Sequence, residues 1–312
     1  VEFGIRLHLN TDDYQEIRQF AEEADKLGYH SVWVNDHLIP PSGPMSVPFL
    51  ESWMTLSAVA TVTHRVKVGT LVIPVNFRMP SLIAKMGATL DNLSHGRLIL
   101  GMGAGWKQEE FDAFGLPFPD AKTRVEQLDE AVQIVKRMWT ERKASFTGKH
   151  YRIDEAFVEP KPVQKPHPPL LIGGTKSGIL RVAAKHADIW NISYPPSKEN
   201  FEQVLRNLDR VLDRVRQNRA SLRRSVLLES LVGEDKKAFE DMLVKSSRSR
   251  GMTEEEYARR LAFGMAGSPD ECFERVRYFQ DRGVDLIVLS FPSNKSLDQL
   301  GIFAERVVKE VH

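Results

Sequence analysis

Short runs of β-branched and aliphatic residues recur along the chain, and amphipathic stretches of helical period lie between most of them. Eight runs read as strands: Phe3–Leu9, Ser31–Asn35, Val66–Ile73, Arg97–Gly103, Pro169–Gly173, Asp188–Ile192, Ser225–Val232 and Asp285–Ser290. Each closes on polar or glycine residues, as strand ends do. Between the first two, Ile17, Phe20, Ala21, Ala24 and Leu27 recur at three and four, which predicts a helix with one apolar face, ended by Gly28. After the fourth strand, Val125, Leu128, Val132, Val135 and Met138 repeat the pattern. Strand–helix alternation predicts a parallel sheet, and eight units close as a (β/α)8 barrel. An open doubly wound sheet would usually use fewer units.

The strand starts are unevenly spaced. They jump from 97 to 169 and from 225 to 285, so insertions are expected after strands 4 and 7, over about 106–168 and 233–267. The first holds a Phe- and Pro-rich loop over 111–119, a helix over about 123–139, a hairpin over 144–153 and a proline-rich return. The other insertion reads as helical, with Ala238, Phe239, Met242 and Leu243 on one face. Ser268-Pro269-Asp270-Glu271 predicts a helix start with a capping box. No linker separates two domains, so one barrel domain over 1–312 is expected.

Lys plus Arg number 43 and Asp plus Glu 42, a net charge of +1 that exerts no global pull on nucleic acid or anionic membrane. The basic residues Arg206, Arg210, Arg214 and Arg216, then Arg223 and Arg224, are interleaved with Asp209 and Asp213 and read as a solvated helix face. A single cysteine, Cys272, excludes an intrachain disulfide and suits a reducing cytoplasm. No apolar run approaches the ~20 residues that span a bilayer, and the chain opens on a strand rather than a charged-then-apolar leader. The nine histidines form neither His-x-His nor His-Glu-x-x-His, so no metal is expected.

Candidate chemistry gathers at the carboxyl ends of the strands, where barrel enzymes keep it. Asp36-His37 follows the second strand, and a carboxylate beside an imidazole can tune it across neutral pH. His8 and Asn10 close the first strand and face the same end. Trp53 and Trp106 lie in or after loops there and are candidate pocket walls. Leu171 to Gly178 runs from strand through Gly173, Gly174, Thr175, Lys176, Ser177 and Gly178 into a helix. Exposed N–H groups, two hydroxyls and a lysine there favour a phosphate, although the P-loop spacing is absent and a plain tight turn fits as well. Gly101-Met102-Gly103-Ala104-Gly105-Trp106 departs from the Rossmann fingerprint by one position, but its glycines let a flat ring approach the backbone.

Taken together these segments resemble the luciferase-like monooxygenase superfamily, across about Phe3 to Val308. The resemblance is carried by Phe20 to Tyr29 leading into Ser31 to His37, by Gly96 to Trp106, Glu159 to Gln164, Leu171 to Gly174, Ala183 to Asp188 and Gly267 to Glu271. Asp-His after the second strand is similar to the F420-dependent oxidoreductase branch. That likeness implies catalytic roles for His37, as proton-transfer residue, and Asp36, which also contacts the deazaflavin ring. It implies a non-proline cis peptide at Leu71-Val72 behind the ring, with Thr70, Leu71, Val72, Gly103, Ala104 and Glu109 along the cofactor, and the cofactor phosphate at Gly173 to Gly178. The family's sugar-phosphate dehydrogenases carry a glutamate where Trp106 stands, which argues against a sugar-phosphate substrate. The resemblance therefore implies hydride transfer between F420 and a small organic substrate, in a homodimer or higher homo-oligomer. An FMN-dependent monooxygenase using reduced flavin and oxygen is the alternative. A non-catalytic flavin-binding barrel is a third reading, for which an Asp36-His37 pair would be superfluous.

Overall fold

In the computed structural model, which describes residues 1–215 and 222–311, eight parallel strands close on themselves. In chain order the strands are β1 (Glu2–Arg6), β2 (Ser31–Val34), β3 (Lys67–Thr70), β4 (Ile73–Pro74), β5 (Leu98–Gly103), β6 (Ala144–Thr147), β7 (Arg152–Ala156), β8 (Leu170–Gly173), β9 (Ile189–Ser193), β10 (Arg223–Val232), β11 (Met265–Gly267) and β12 (Leu286–Ser290). The barrel runs β1-β2-β3-β5-β8-β9-β10-β12 and returns to β1. It is a (β/α)8 barrel, as the alternation predicts. The antiparallel hairpin β6–β7 lies outside it, and β11 extends the far end of β10. Arg216, part of the basic run, lies outside the described residues; of its neighbours, Arg224 pairs with Asp209 and Arg223 with Glu2.

Two apolar layers hold the barrel. The larger lies between sheet and helices and takes Phe3, Ile5, Leu7 and Leu9 from one side of the first strand and its extension, with Ile17, Phe20 and Ala24 of the helix Tyr14–Lys26. The smaller fills the barrel itself with Trp33, Ile99, Leu171, Ile189, Leu227, Leu286 and Val288. Trp33 is fully buried there, and glycines make its room: a Cβ on Gly69 would lie 2.4 Å from Trp33 Cζ3, and one on Gly4 2.6 Å from its Nε1.

The strand expected over 66–73 is divided. β3 stops at Thr70, the Leu71–Val72 peptide bond is cis, and β4 resumes at Ile73. The Val72 side chain drops between β5 and β8, where a Cβ on Gly103 or Gly173 would meet it at 2.6 or 2.9 Å. Those strand-end glycines thus admit a neighbouring side chain.

Between β5 and β8 come the helices Gln108–Ala113 and Ala121–Thr140 and the hairpin. Between β10 and β12 come the helices Lys236–Ser249, Glu254–Leu261 and Pro269–Gln280. Phe239, Met242 and Leu243 pack on a small core of Leu231, Tyr257 and Leu261. Ser268 and Glu271 form the reciprocal cap. Among the described residues no helix is long and apolar enough to cross a membrane, and no group of three or more His, Cys, Asp or Glu could hold a metal ion.

Candidate active site

Side chains on an extended chain alternate between faces. At β1 this sends Leu7 and Leu9 to the helices and Arg6, His8 and Asn10 into a cleft of about 500 Å3 at the carboxyl mouth of the barrel. After β2 the same parity sends Asn35 and His37 into the cleft and turns Asp36 away from it. Leu71, Trp106, Tyr194, Glu229 and Ser290 complete the part of the wall that matters here.

His37 is held from behind. Its Nδ1 lies 3.0 Å from both carboxylate oxygens of Glu110, which also accepts the Leu38 N–H at 3.1 Å. A carboxylate accepts, which puts a proton on Nδ1 and leaves Nε2 with no hydrogen-bond partner among the described residues. Trp106 meets the imidazole edge-to-face at 5.8 Å and is itself 65% exposed, so it forms the lip of the cleft above His37.

Asp36 is fully buried against Arg78, with 2.5 Å between Oδ2 and Nη1; Arg78 also bonds Glu51, the N-cap of the helix Ser52–Val62. Burial pushes the Asp36 carboxyl above the usual carboxylate range against the pull of Arg78. His8 Nε2 lies 2.6 Å from the Phe291 carbonyl, which can only accept. Burial first, and Arg6 second, push His8 from the ordinary 6.5 down to about 3, so its imidazole stays neutral.

Of the expected residues, His8, Asn10, His37, Leu71 and Trp106 converge on the cleft, and several others do not. Asp36 serves the Arg78–Glu51 bridge. Thr70 is fully buried and its hydroxyl is spent on Gly101, donating to the carbonyl at 2.9 Å and accepting the N–H at 3.0 Å. Trp53 is 4% exposed and lies in the sheet–helix core. Glu109 faces solvent, because one step along the helix Gln108–Ala113 turns it away; the carboxylate that reaches the site is Glu110. Val72, Gly103 and Ala104 do not line the cleft. Gly173 ends β8, and a loop of Gly174, Thr175 and Lys176 leads into Ser177 and Gly178, which open the helix Ser177–His186 with no side-chain cap; none of the six lines the cleft. β5 alone separates β3 from β8, so Leu71 and this loop lie about two strand spacings, ~10 Å, apart. Arg6, Asn35, Glu110, Tyr194 and Ser290 were not foreseen. The parity of Arg6 with His8 and of Asn35 with His37 is the signal that marks the first two. A larger open groove of about 710 Å3 lies beside Phe263 and Tyr278, but it holds no histidine, and its Glu271 is occupied in the helix cap.

The family model described as luciferase-like monooxygenase matches residues 1–286. The chain belongs to that family. Within it, the chain is 28% identical to an F420-dependent glucose-6-phosphate dehydrogenase of Intrasporangium calvum, covering 94% of each, and 27% identical to one of Nakamurella multipartita, covering 99% of this chain and 96% of that one. Among solved structures, an F420-dependent secondary alcohol dehydrogenase in complex with an F420–acetone adduct superposes with a TM-score of 0.81 at 20% identity, covering 98% of both chains. A monooxygenase from Streptomyces bottropensis superposes at 0.83 with 23% identity over the whole of both chains. These two likenesses carry the family fold.

Proposed function

We propose that this family member is an F420-dependent oxidoreductase acting on a small organic substrate, with His37 as its proton-transfer residue. One observation carries the reading: His37 lines the same cleft as Leu71 at the barrel mouth, with Nδ1 fixed by Glu110 and Nε2 without a hydrogen-bond partner among the described residues. The names of the full-length relatives support the cofactor. The chain's own groups suit it: Leu71 offers an apolar wall, and the uncapped turn at Gly173 to Gly178, with Thr175, Lys176 and Ser177, offers N–H, hydroxyl and ammonium donors to a phosphate. When bound, a deazaflavin supplies two-electron hydride chemistry that reacts poorly with oxygen.

In this reading Nε2 of His37 gives or takes the proton on the substrate heteroatom, Glu110 holds the ring and its tautomer, and Trp106 shields the pair from water. Asp36 acts at one remove, by tying the backbone before His37 to Arg78. The reading also makes the protein a cytoplasmic homo-oligomer. Met54 and Leu82, exposed on the helices Ser52–Val62 and Pro80–Leu93, are candidate apolar contacts.

The test is equilibrium binding of F420 and FMN side by side, followed by turnover without oxygen. Submicromolar F420 binding with weak FMN binding is expected, and His37→Ala should retain F420 while losing turnover by about a hundredfold or more. Preference for FMN with oxygen consumption, or full activity in a folded His37→Ala protein, would overturn it.

A further inference from the structure

The cleft wall contains a cation with no counter-ion among the described residues. Arg6 donates from Nε and Nη2 to Asn35 Oδ1 at 3.3 and 3.2 Å, and from Nη1 to Tyr194 Oη at 2.8 Å and Ser290 Oγ at 3.2 Å. All three partners are neutral, and among the described residues no carboxylate forms an ion pair with Arg6. Glu229, the only acid among the described cleft-lining residues, is held by Arg260. Arg250, also on the cleft, is exposed and donates to the Pro292 carbonyl, so water screens its charge.

The bonding leaves donors facing the cleft. A guanidinium has five N–H groups, and these four bonds leave one on Nη2. The Tyr194 and Ser290 hydroxyls accept from Arg6, so each keeps its own hydrogen to donate. Tyr194 is held to this task in a left-handed backbone, φ 50°, with its N–H fixed to the Leu227 carbonyl at 2.8 Å. Asn35 orients Arg6 from two positions before His37, on the same face of the chain.

We propose that Arg6, Tyr194 and Ser290 bind a carboxylate of the substrate, which is therefore an organic acid whose reacting carbon is presented to His37. This rests on the function proposed above. A single unpaired inner charge and three convergent donors match a monoanion, whereas a phosphate dianion would leave one charge unmatched.

Calorimetric titration of the cofactor-free protein with benzoate, benzamide and inorganic phosphate tests the site. Benzoate should bind more tightly than benzamide or phosphate, and at least tenfold more weakly to Arg6→Met. Tyr194→Phe, which leaves the charge and removes one donor, should weaken benzoate a few-fold. Undiminished benzoate binding by Arg6→Met, no benzoate binding by the parent protein, or preference for phosphate would each overturn the proposal. F420 titration runs in parallel. Loss of F420 affinity in Arg6→Met with benzoate unaffected would reassign Arg6 to the cofactor and also overturn it. No F420 binding by the parent protein, with benzoate still dependent on Arg6, would remove the proposed cofactor and leave the carboxylate site standing.

Discussion

His37 and Glu110 stand 73 residues apart in the chain and 3.0 Å apart in the fold. A residue's value here depends on which way it points. Glu109 and Glu110 are chemically identical, yet one is solvated and the other is 1% exposed against an imidazole. Glu110→Gln should lower turnover at least tenfold, since an amide can turn its N–H toward Nδ1 and no longer fixes the imidazole tautomer; Glu110→Asp should restore part of it. Turnover by Glu110→Gln equal to the parent's would remove Glu110 from its positioning role. Asp36 makes a different prediction, one of stability. Arg78→Leu strands a buried carboxylate and should cost about 3 kcal/mol in urea unfolding, whereas the double variant Asp36→Asn/Arg78→Leu should recover much of the loss. An additive double variant would show that the bridge is not the source.

Elements are placed by contacts between residues that no local pattern links. Asp25, on the first helix, accepts the N–H groups of His64, Arg65 and Val66 at 3.0, 2.8 and 2.7 Å, and so sets the height at which β3 begins. Arg97 caps the same corner by donating to the Ala60, Thr63 and Val66 carbonyls. The glycines facing Trp33 work in the same way inside the barrel. Gly69→Ala should cost about 1–3 kcal/mol by overpacking, and Trp33→Phe in that background should return some of it. Equal thermal unfolding of Gly69→Ala and the parent would contradict the close packing described. The strand expected over 66–73 is interrupted between Thr70 and Ile73, and there the Val72 side chain occupies the room that Gly103 on β5 and Gly173 on β8 leave.

At the scale of the whole molecule, buried histidines tie stability to pH. His8 is pushed down to about 3, chiefly by burial, and His30 and His186 are lowered for the same first cause. The unfolded chain therefore binds more protons than the folded one between about 3 and 6.5, so stability is full above about 6.5 and is lost as the pH falls through that window. Urea midpoints should drop between about pH 7.5 and pH 5, and His8→Gln should flatten that slope; an unchanged slope would exclude His8 as a source. The chain itself determined the eight-unit alternation, the position of the long connections in sequence and the presence of Asp36-His37 at a strand mouth. Periodicity records which face of each element is apolar, and a barrel needs little more. Tertiary structure alone decided which polar side chains share a cleft. It turned Asp36 outward, spent Thr70 on Gly101, put Trp53 in the core, and brought Arg6, Asn35, Tyr194 and Ser290 together from four separate barrel units. Partners so distant along the chain meet only once the barrel has closed, and nothing in their local sequence encodes that meeting.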